Sequence, residues 1–239
     1  MHHPSNFKII LPQYKTMDKF TQTEQNLLLG KTEKVITPPL LKVVPEGSHI
    51  HTNYSPGTFL EKMGVAYCPT LRFANTSILK RVVKACPKLY RTNEELGERF
   101  QKRIFAGETV NTTVVWVNEE LRYSLITNRN LQKDDWIGTY TGLVRPINRI
   151  TPVINGYCVL YPTKWYSRNL FVIDARFHAN FLRYVNHSDT PNLYAQWALD
   201  RGLLHLLFFA ADTIPRGAHL TINYGEAYWR YRKKSSKTC

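Results

Sequence analysis

None of the four cysteines in this 239-residue chain, Cys68, Cys86, Cys158 and Cys239, forms a Cys-x-x-Cys pair. Structural zinc needs clustered ligands with pairs two to four residues apart, so no metal site is expected. A disulfide framework has equally little support at this length, which makes a reducing, intracellular compartment the default. No apolar run approaches the ~18 residues of a membrane span. The opening MHHPSNFKIILPQY lacks the basic segment, long apolar stretch and small-residue cleavage site of a secretory signal. A nuclear destination or export by a non-classical route would leave no mark of this kind. Neither GxGxxG nor a phosphate-binding loop occurs, so a Rossmann nucleotide site is excluded.

Acid is also scarce: 18 Asp and Glu stand against 32 Lys and Arg, for a net charge of +14. Such an excess attracts nucleic acid or another acidic partner over a Debye length of roughly 8–10 Å. The cations are dispersed except in the tail, where Arg230, Arg232, Lys233, Lys234 and Lys237 crowd together. A solvated surface with a basic tail explains them as well as a binding site does. A hydrophobic fraction of 43% is enough to build a core, which argues against wholesale disorder.

Two regions differ in pattern. Residues 1–58 carry six prolines and only short apolar clusters, such as Leu27–Leu29 before Gly30, and read as an irregular arm with one short helix. Helical spacing of Ile78, Leu79, Val82 and Val83 predicts a helix over 76–86, stopped by Pro87. A second helix is predicted from Glu94 to Phe105, with Asn93 as its cap and Gly107 at its end. From Thr112 the sequence changes to short β-type runs at 113–117, 123–127, 136–140, 157–161, 170–173, 193–198 and 203–209. Asp200-Arg201-Gly202 joins the last two as a hairpin turn. The expected fold class is therefore mainly β with some α. Its organisation is an N-terminal arm and helical region over 1–110, a β domain over 111–231 and a basic tail over 232–239.

Chemistry concentrates near the end. Arg183-Tyr184-Val185-Asn186-His187-Ser188-Asp189-Thr190-Pro191-Asn192 is a polar knot between strands, costly to bury unless hydrogen-bonded throughout, at about 1–3 kcal/mol per unsatisfied group. Adjacent residues point apart, so His187 and Ser188 are poor candidates for a hydrolytic pair. Further on, Ile214-Pro215-Arg216-Gly217 introduces Thr221-Ile222-Asn223-Tyr224-Gly225-Glu226-Ala227-Tyr228-Trp229.

RYVNHSDTPN followed by AADTIPRGAHLTINYG resembles the signature of SET-domain methyltransferases. Leu131-Gln132-Lys133-Asp134-Asp135-Trp136-Ile137-Gly138-Thr139-Tyr140-Thr141-Gly142 is similar to a third element of that family, and the three occur in the family's order. The resemblance covers roughly residues 112–231 and extends to a compact bacterial or viral type without pre-SET or post-SET zinc cysteines. It implies a SET fold of short strands closed by a C-terminal pseudoknot. The cofactor it implies is S-adenosyl-L-methionine, and the activity protein-lysine N-methylation of a histone or histone-like basic protein, which places the chain in chromatin chemistry.

Carried over residue by residue, the resemblance makes Tyr224 the catalytic tyrosine and sets Tyr157 beside the lysine channel, although Tyr157 reads equally well as an ordinary strand aromatic. Asn186 and His187 would contact the cofactor, together with Tyr123, Arg183 and Trp229. Trp229 resembles an aromatic packed over adenine, and also fits a core-capping role. Ile222, Tyr161 and Tyr140 would line the substrate channel, and the lack of a hydroxyl at Ile222 would favour two or three methyl groups over one. A homodimer is left open.

The pattern is also broken in places. Arg122 and Ser124 stand where the family has Gly-x-Gly, Thr139 replaces a glutamate, Asn223 an aspartate, and Asp189 a zinc-ligating cysteine. Two other readings stay open beside the enzyme: a catalytically silent SET module that only binds, and a basic nucleic-acid-binding protein.

Overall fold

In a computed structural model, residues 20–31, 40–87, 91–148, 150, 154–168 and 170–229 are described. The arm before Phe20 and the tail from Arg230 lie outside them. Helix α1 (Gln22–Leu28) starts at a capping box in which Thr21 and Glu24 satisfy each other's backbone N–H groups. Strands β1 (Leu41–Val44) and β2 (Thr52–Tyr54) follow, then α2 (Pro56–Lys62), which is capped by Ser55 with Pro56 in its first turn. Short strands β3 (Ala66–Tyr67) and β4 (Arg72–Phe73) lead to α3 (Thr76–Ala85) and α4 (Arg91–Ala106).

The sequence expectation for α4 needs one correction. Asn93 does not cap the helix but lies within its first turn, and its side-chain amide donates to the Trp197 carbonyl at 2.6 Å. Gly97, in mid-helix, costs helix propensity. A Cβ there would collide with the Leu199 carbonyl, so glycine is what lets α4 lie against the strand carrying Trp197 and Leu199.

The β region comprises β5 (Thr112–Trp116), β6 (Tyr123–Thr127), β7 (Trp136–Tyr140), β8 (Leu143–Ile147), β9 (Cys158–Tyr161), β10 (Leu170–Asp174) and β11 (His178–Ala179). After a 3₁₀ turn at Phe181–Tyr184 come β12 (Asn186–His187), β13 (Leu193–Asp200), β14 (Leu203–Ala210), β15 (Thr221–Ile222) and the closing turn α5 (Glu226–Trp229). Each of the seven expected strands is present within two residues. The expectation missed the short strands β1 to β4, β11, β12 and β15, of which β1 and β2 lie in the stretch read as an irregular arm, and it missed β8, where Pro146 argues against a strand. It is tolerated because β4 covers only Leu143 and Val144, leaving the Pro146 end of β8 with β10 as its single neighbour.

Strand order is β2-β1-β5-β6 in one sheet, β4-β8-β10-β9 in a second, β11-β3 in a third, and β12-β15-β13-β14-β7 in the largest. Strands from before residue 110 therefore share three of the four sheets with strands from after it. The hairpin β13–β14 turns through Arg201 (φ 48°) and Gly202 (φ 90°), both left-handed, as a two-residue turn between right-twisted strands requires. Every residue of β14 is buried, which matches its apolar run, broken by His205, at the centre of the core.

Candidate functional site

The knot is laced by backbone pairing and one asparagine. β12 and β15 run parallel, with Asn186 opposite Thr221 and His187 opposite Ile222. The Asn192 side chain accepts from the Thr221 N–H (2.9 Å) and donates to the His219 carbonyl (2.7 Å), tying the segment after β12 to the segment before β15. The Ser188 N–H donates to the Ile222 carbonyl at 3.2 Å. This pairing satisfies the backbone groups of a polar segment that would otherwise be expensive to bury.

Tyr224 leaves β15 in a fixed direction. Its N–H donates to His187 Nδ1 (3.2 Å) and its hydroxyl donates to the Val185 carbonyl (2.8 Å). His187 Nδ1 is thus an acceptor, and its Nε2 lies 3.3 Å from the Asp189 carboxylate. The Tyr224 ring also packs on Tyr228 of α5, with centroids 4.6 Å apart.

Beside Tyr224 opens a cavity of about 300 Å³. Tyr140, Tyr157, Arg183, Ile222 and Tyr224, all sequence candidates, meet in its wall. Tyr140 donates its hydroxyl to the Tyr157 carbonyl at 2.9 Å, and burial pushes its phenol well above the ordinary range, so it stays protonated. The Arg183 guanidinium lies 4.2 Å over the Tyr157 ring, a cation–π contact at the wall. Among the described residues, Arg183 is the sole charged residue in the lining and no carboxylate contributes.

Tyr161, expected in the channel, is elsewhere. It is buried against Trp197, and its hydroxyl accepts from the Leu204 N–H at 2.7 Å, making it a structural post between β9 and β14. Tyr228, Trp197, Phe208 and Cys158 line the cavity and were not among the candidates. Two signals pointed to some of them. Ala195 and Trp197 on β13, like Leu206 and Phe208 on β14, alternate at period two and so share a face. Tyr228 follows Tyr224 at helical spacing.

The remaining candidates gather next to the cavity rather than in it. Asn186 donates from its side-chain amide to the Tyr123 carbonyl at 3.1 Å, and His187 meets the edge of Trp229 with centroids 4.9 Å apart. The buried Trp229 Nε1 finds no hydrogen-bond partner among the described residues. At the glycine-less segment, Arg122 holds a left-handed φ of 59°, the conformation that glycine would adopt without strain. Ser124 is fully buried and its hydroxyl meets His219 Nδ1 at 2.8 Å. Desolvation keeps His219 below its ordinary pKa. Arg122 thus takes a glycine-like backbone conformation, and the Ser124 side chain is accommodated by a buried hydrogen bond. Thr139, at the glutamate position, is buried, and its carbonyl accepts from the Asn180 amide at 2.7 Å.

Among the described residues there is no group of three or more His, Cys, Asp or Glu that could hold a metal ion, and no helix long and apolar enough to cross a membrane.

Residues 122–225 match the family model of the SET domain. In sequence, the chain is 44% identical over 61 residues to the histone-lysine N-methyltransferase, H3 lysine-9 specific, SUVH6 of Arabidopsis thaliana, covering 24% of this chain and 8% of that protein. It is 28% identical over 144 residues to the histone-lysine N-methyltransferase SETD2 of Homo sapiens, covering 59% of this chain and 5% of that protein. It is 30% identical over 81 residues to the inactive histone-lysine N-methyltransferase 2E of Mus musculus, covering 34% of this chain and 4% of that protein. The matched stretches are thus under a tenth of each of these relatives.

Among solved structures, ATXR5 in complex with histone H3.1 aligns with a TM-score of 0.57 at 14% identity, covering 71% of this chain and 85% of that one. KRYPTONITE in complex with DNA, a histone H3 peptide and SAH aligns with a TM-score of 0.51 at 19% identity, covering 83% and 47%. At these identities the likeness concerns the fold.

Proposed function

We propose, from the match of residues 122–225 to the SET-domain family model, that the protein is an S-adenosyl-L-methionine-dependent protein-lysine N-methyltransferase whose substrate is a basic protein such as a histone. The observation that carries this reading is the fixed Tyr224 hydroxyl, with the Val185 carbonyl, at an aromatic-walled cavity without a carboxylate. A lysine amine reacts only after losing its proton, and its ordinary pKa is about 10.4. Apolar walls disfavour the ammonium form, Arg183 disfavours it further, and no acid among the described lining residues stabilises it. Tyr140, Tyr157 and Tyr224 can grip the aliphatic stem, while the Tyr224 hydroxyl and the Val185 carbonyl orient the amine for in-line attack.

The cradle of Tyr123, Asn186, His187 and Trp229 fits the cofactor. Trp229 has a buried indole N–H still to be satisfied, and the backbone at Arg122 keeps its glycine-like course. Trp229 would lie against the adenine ring, while Asn186 and His187 would contact the cofactor through backbone and side chain. When bound, the cofactor supplies an electrophilic methyl group on a sulfonium. The names of the curated relatives support the substrate class.

A methyl-transfer assay with labelled cofactor against core histones and a total lysate of the source cell tests the reading. A discrete labelled basic band is the expected result. Cofactor binding without transfer to any protein would favour a silent SET module instead, a reading motivated by Arg122 and Ser124 at the glycine positions and by the inactive mouse relative.

A further inference from the structure

Acidic residues are distributed unevenly along the chain. None occurs between Glu61 and Glu94, and none between Asp135 and Asp174. The fold brings these two acid-free stretches together. The Lys164 N–H donates to the Ala85 carbonyl at 2.9 Å, and its ammonium donates to the Lys84 carbonyl at 2.9 Å, fastening the loop after β9 to the C-terminal end of α3.

Lys80, Lys84 and Arg168 are exposed on the joined stretches, while Arg145 is spent on Asp174 within the fold. On the same loop, Trp165 is 91% and Tyr166 64% exposed, with ring centroids 5.5 Å apart. Two adjacent large aromatics left in water cost solvation free energy unless something covers them. Glu94 borders the patch from the side of Cys86, whose thiol feels both Glu94 and Lys164. Leu160, near the end of β9, is half exposed and lines the cavity, so Trp165 can lie no more than roughly 17 Å from it along the chain.

We propose that the α3 C-terminus and the loop carrying Trp165 and Tyr166 form a nucleic-acid docking surface beside the cavity mouth. Lys80, Lys84 and Arg168 would contact backbone phosphates, and the two rings would meet a base or sugar. A cationic surface with Glu94 only at its border matches a polyphosphate, and exposed aromatic faces stack on bases. The proposal goes beyond methyl transfer and does not depend on it.

Fluorescence anisotropy with labelled single-stranded and duplex DNA, over a salt series, tests it on the full chain. The charge variant Lys80→Glu/Lys84→Glu/Arg168→Glu should bind at least tenfold more weakly at 0.1 M salt. Its log affinity against log salt should flatten by about 2 to 3, since each phosphate contact contributes roughly 0.9 for duplex or 0.7 for single strands. Trp165→Ala/Tyr166→Ala should weaken the single-stranded form more than the duplex. Unchanged melting temperature and cofactor binding confirm that the fold is intact.

Equal binding by wild type and the charge variant would overturn the proposal, because the basic tail, present in both, would then account for the affinity. Absence of DNA binding by the wild type, or a patch-dependent affinity seen only for phosphatidylserine vesicles, would overturn it as well.

Discussion

The knot at Asn186–Asn192 and the clasp between α1 and the β13–β14 hairpin are both polar assemblies joining residues distant in sequence, yet they are built differently. In the knot, the lacing is mostly neutral: backbone pairs, Asn192 and the His187 acceptor, with the exposed Asp189 carboxylate beside His187 Nε2 as its one charge. In the clasp it is ionic, with Arg201 making bidentate contacts to Glu24 (2.8 and 2.9 Å) and further bonds to Asp200, which also accepts from Gln101. Neutral lacing holds a hydroxyl and a carbonyl in a chosen direction without placing a charge beside the amine they would handle. Ionic lacing, away from the cavity, is free to trade charge for stability, and it holds Arg201 in a left-handed turn that an unbranched but non-glycine residue adopts at a cost. The comparison predicts that damage to the knot appears in chemistry and damage to the clasp in folding.

The largest effect should come from Tyr224→Phe. Removing the hydroxyl should lower kcat about 10²-fold or more while cofactor affinity stays within a few-fold, because in the proposed function the group would act at the reacting centre. Turnover near wild type would remove Tyr224 from that role.

Next is a pH effect in the core under the clasp. His205 is fully buried, both its ring nitrogens lack hydrogen-bond partners among the described residues, and desolvation lowers its pKa to about 4. The unfolded chain takes up this proton at about 6.5, before the folded one does. The stability contributed is therefore whole above pH 6.5 and is lost as the pH falls toward 4, by on the order of 3 kcal/mol. His219, lowered by the same cause, adds in the same direction. Denaturant melts between pH 7 and 4 should show this slope, and His205→Leu should flatten most of it. A variant with the full slope would place the acid sensitivity elsewhere.

Arg201→Ala should cost about 2 kcal/mol, below the value for a fully buried pair because the side chain retains some exposure. It leaves the buried Asp200 short of a cation, and should lower the melting temperature without changing kcat per folded molecule. A fall in kcat at constant stability would break the separation drawn between knot and clasp.

The smallest effect belongs to Arg122→Gly. Relief of the left-handed strain should stabilise the fold by under about 1 kcal/mol, offset in part by glycine's greater freedom in the unfolded chain. Cofactor affinity, measured by calorimetry, should be kept or raised. A marked loss of affinity would give the Arg122 side chain a binding role of its own.

Much of the molecule was written locally. The seven strand runs, α3, the Arg201-Gly202 turn and the knot segment each carry their signal within a short window: alternation, helical spacing, or turn residues at fixed offsets. The resemblance also marked Tyr224, His187 and Asn186 as candidates from their order in the signature, and the fold brings the three together. What the sequence could not settle was which distant segments would meet. β12 and β15 are two residues long and have no periodicity to detect; they exist because residues 186–187 and 221–222 pair across the chain. Asn93 looks like a cap until Trp197 offers it a carbonyl, and Gly97 looks like a flaw until Leu199 packs against it. Tyr161 has the same side chain as Tyr140, yet one became a post for Leu204 and the other a cavity wall, since a hydroxyl's role depends on the partner that burial brings to it. The residue types and their order were determined by the sequence alone. Which aromatics face the cavity and which support it was decided by tertiary packing, through contacts between segments that no local pattern encodes.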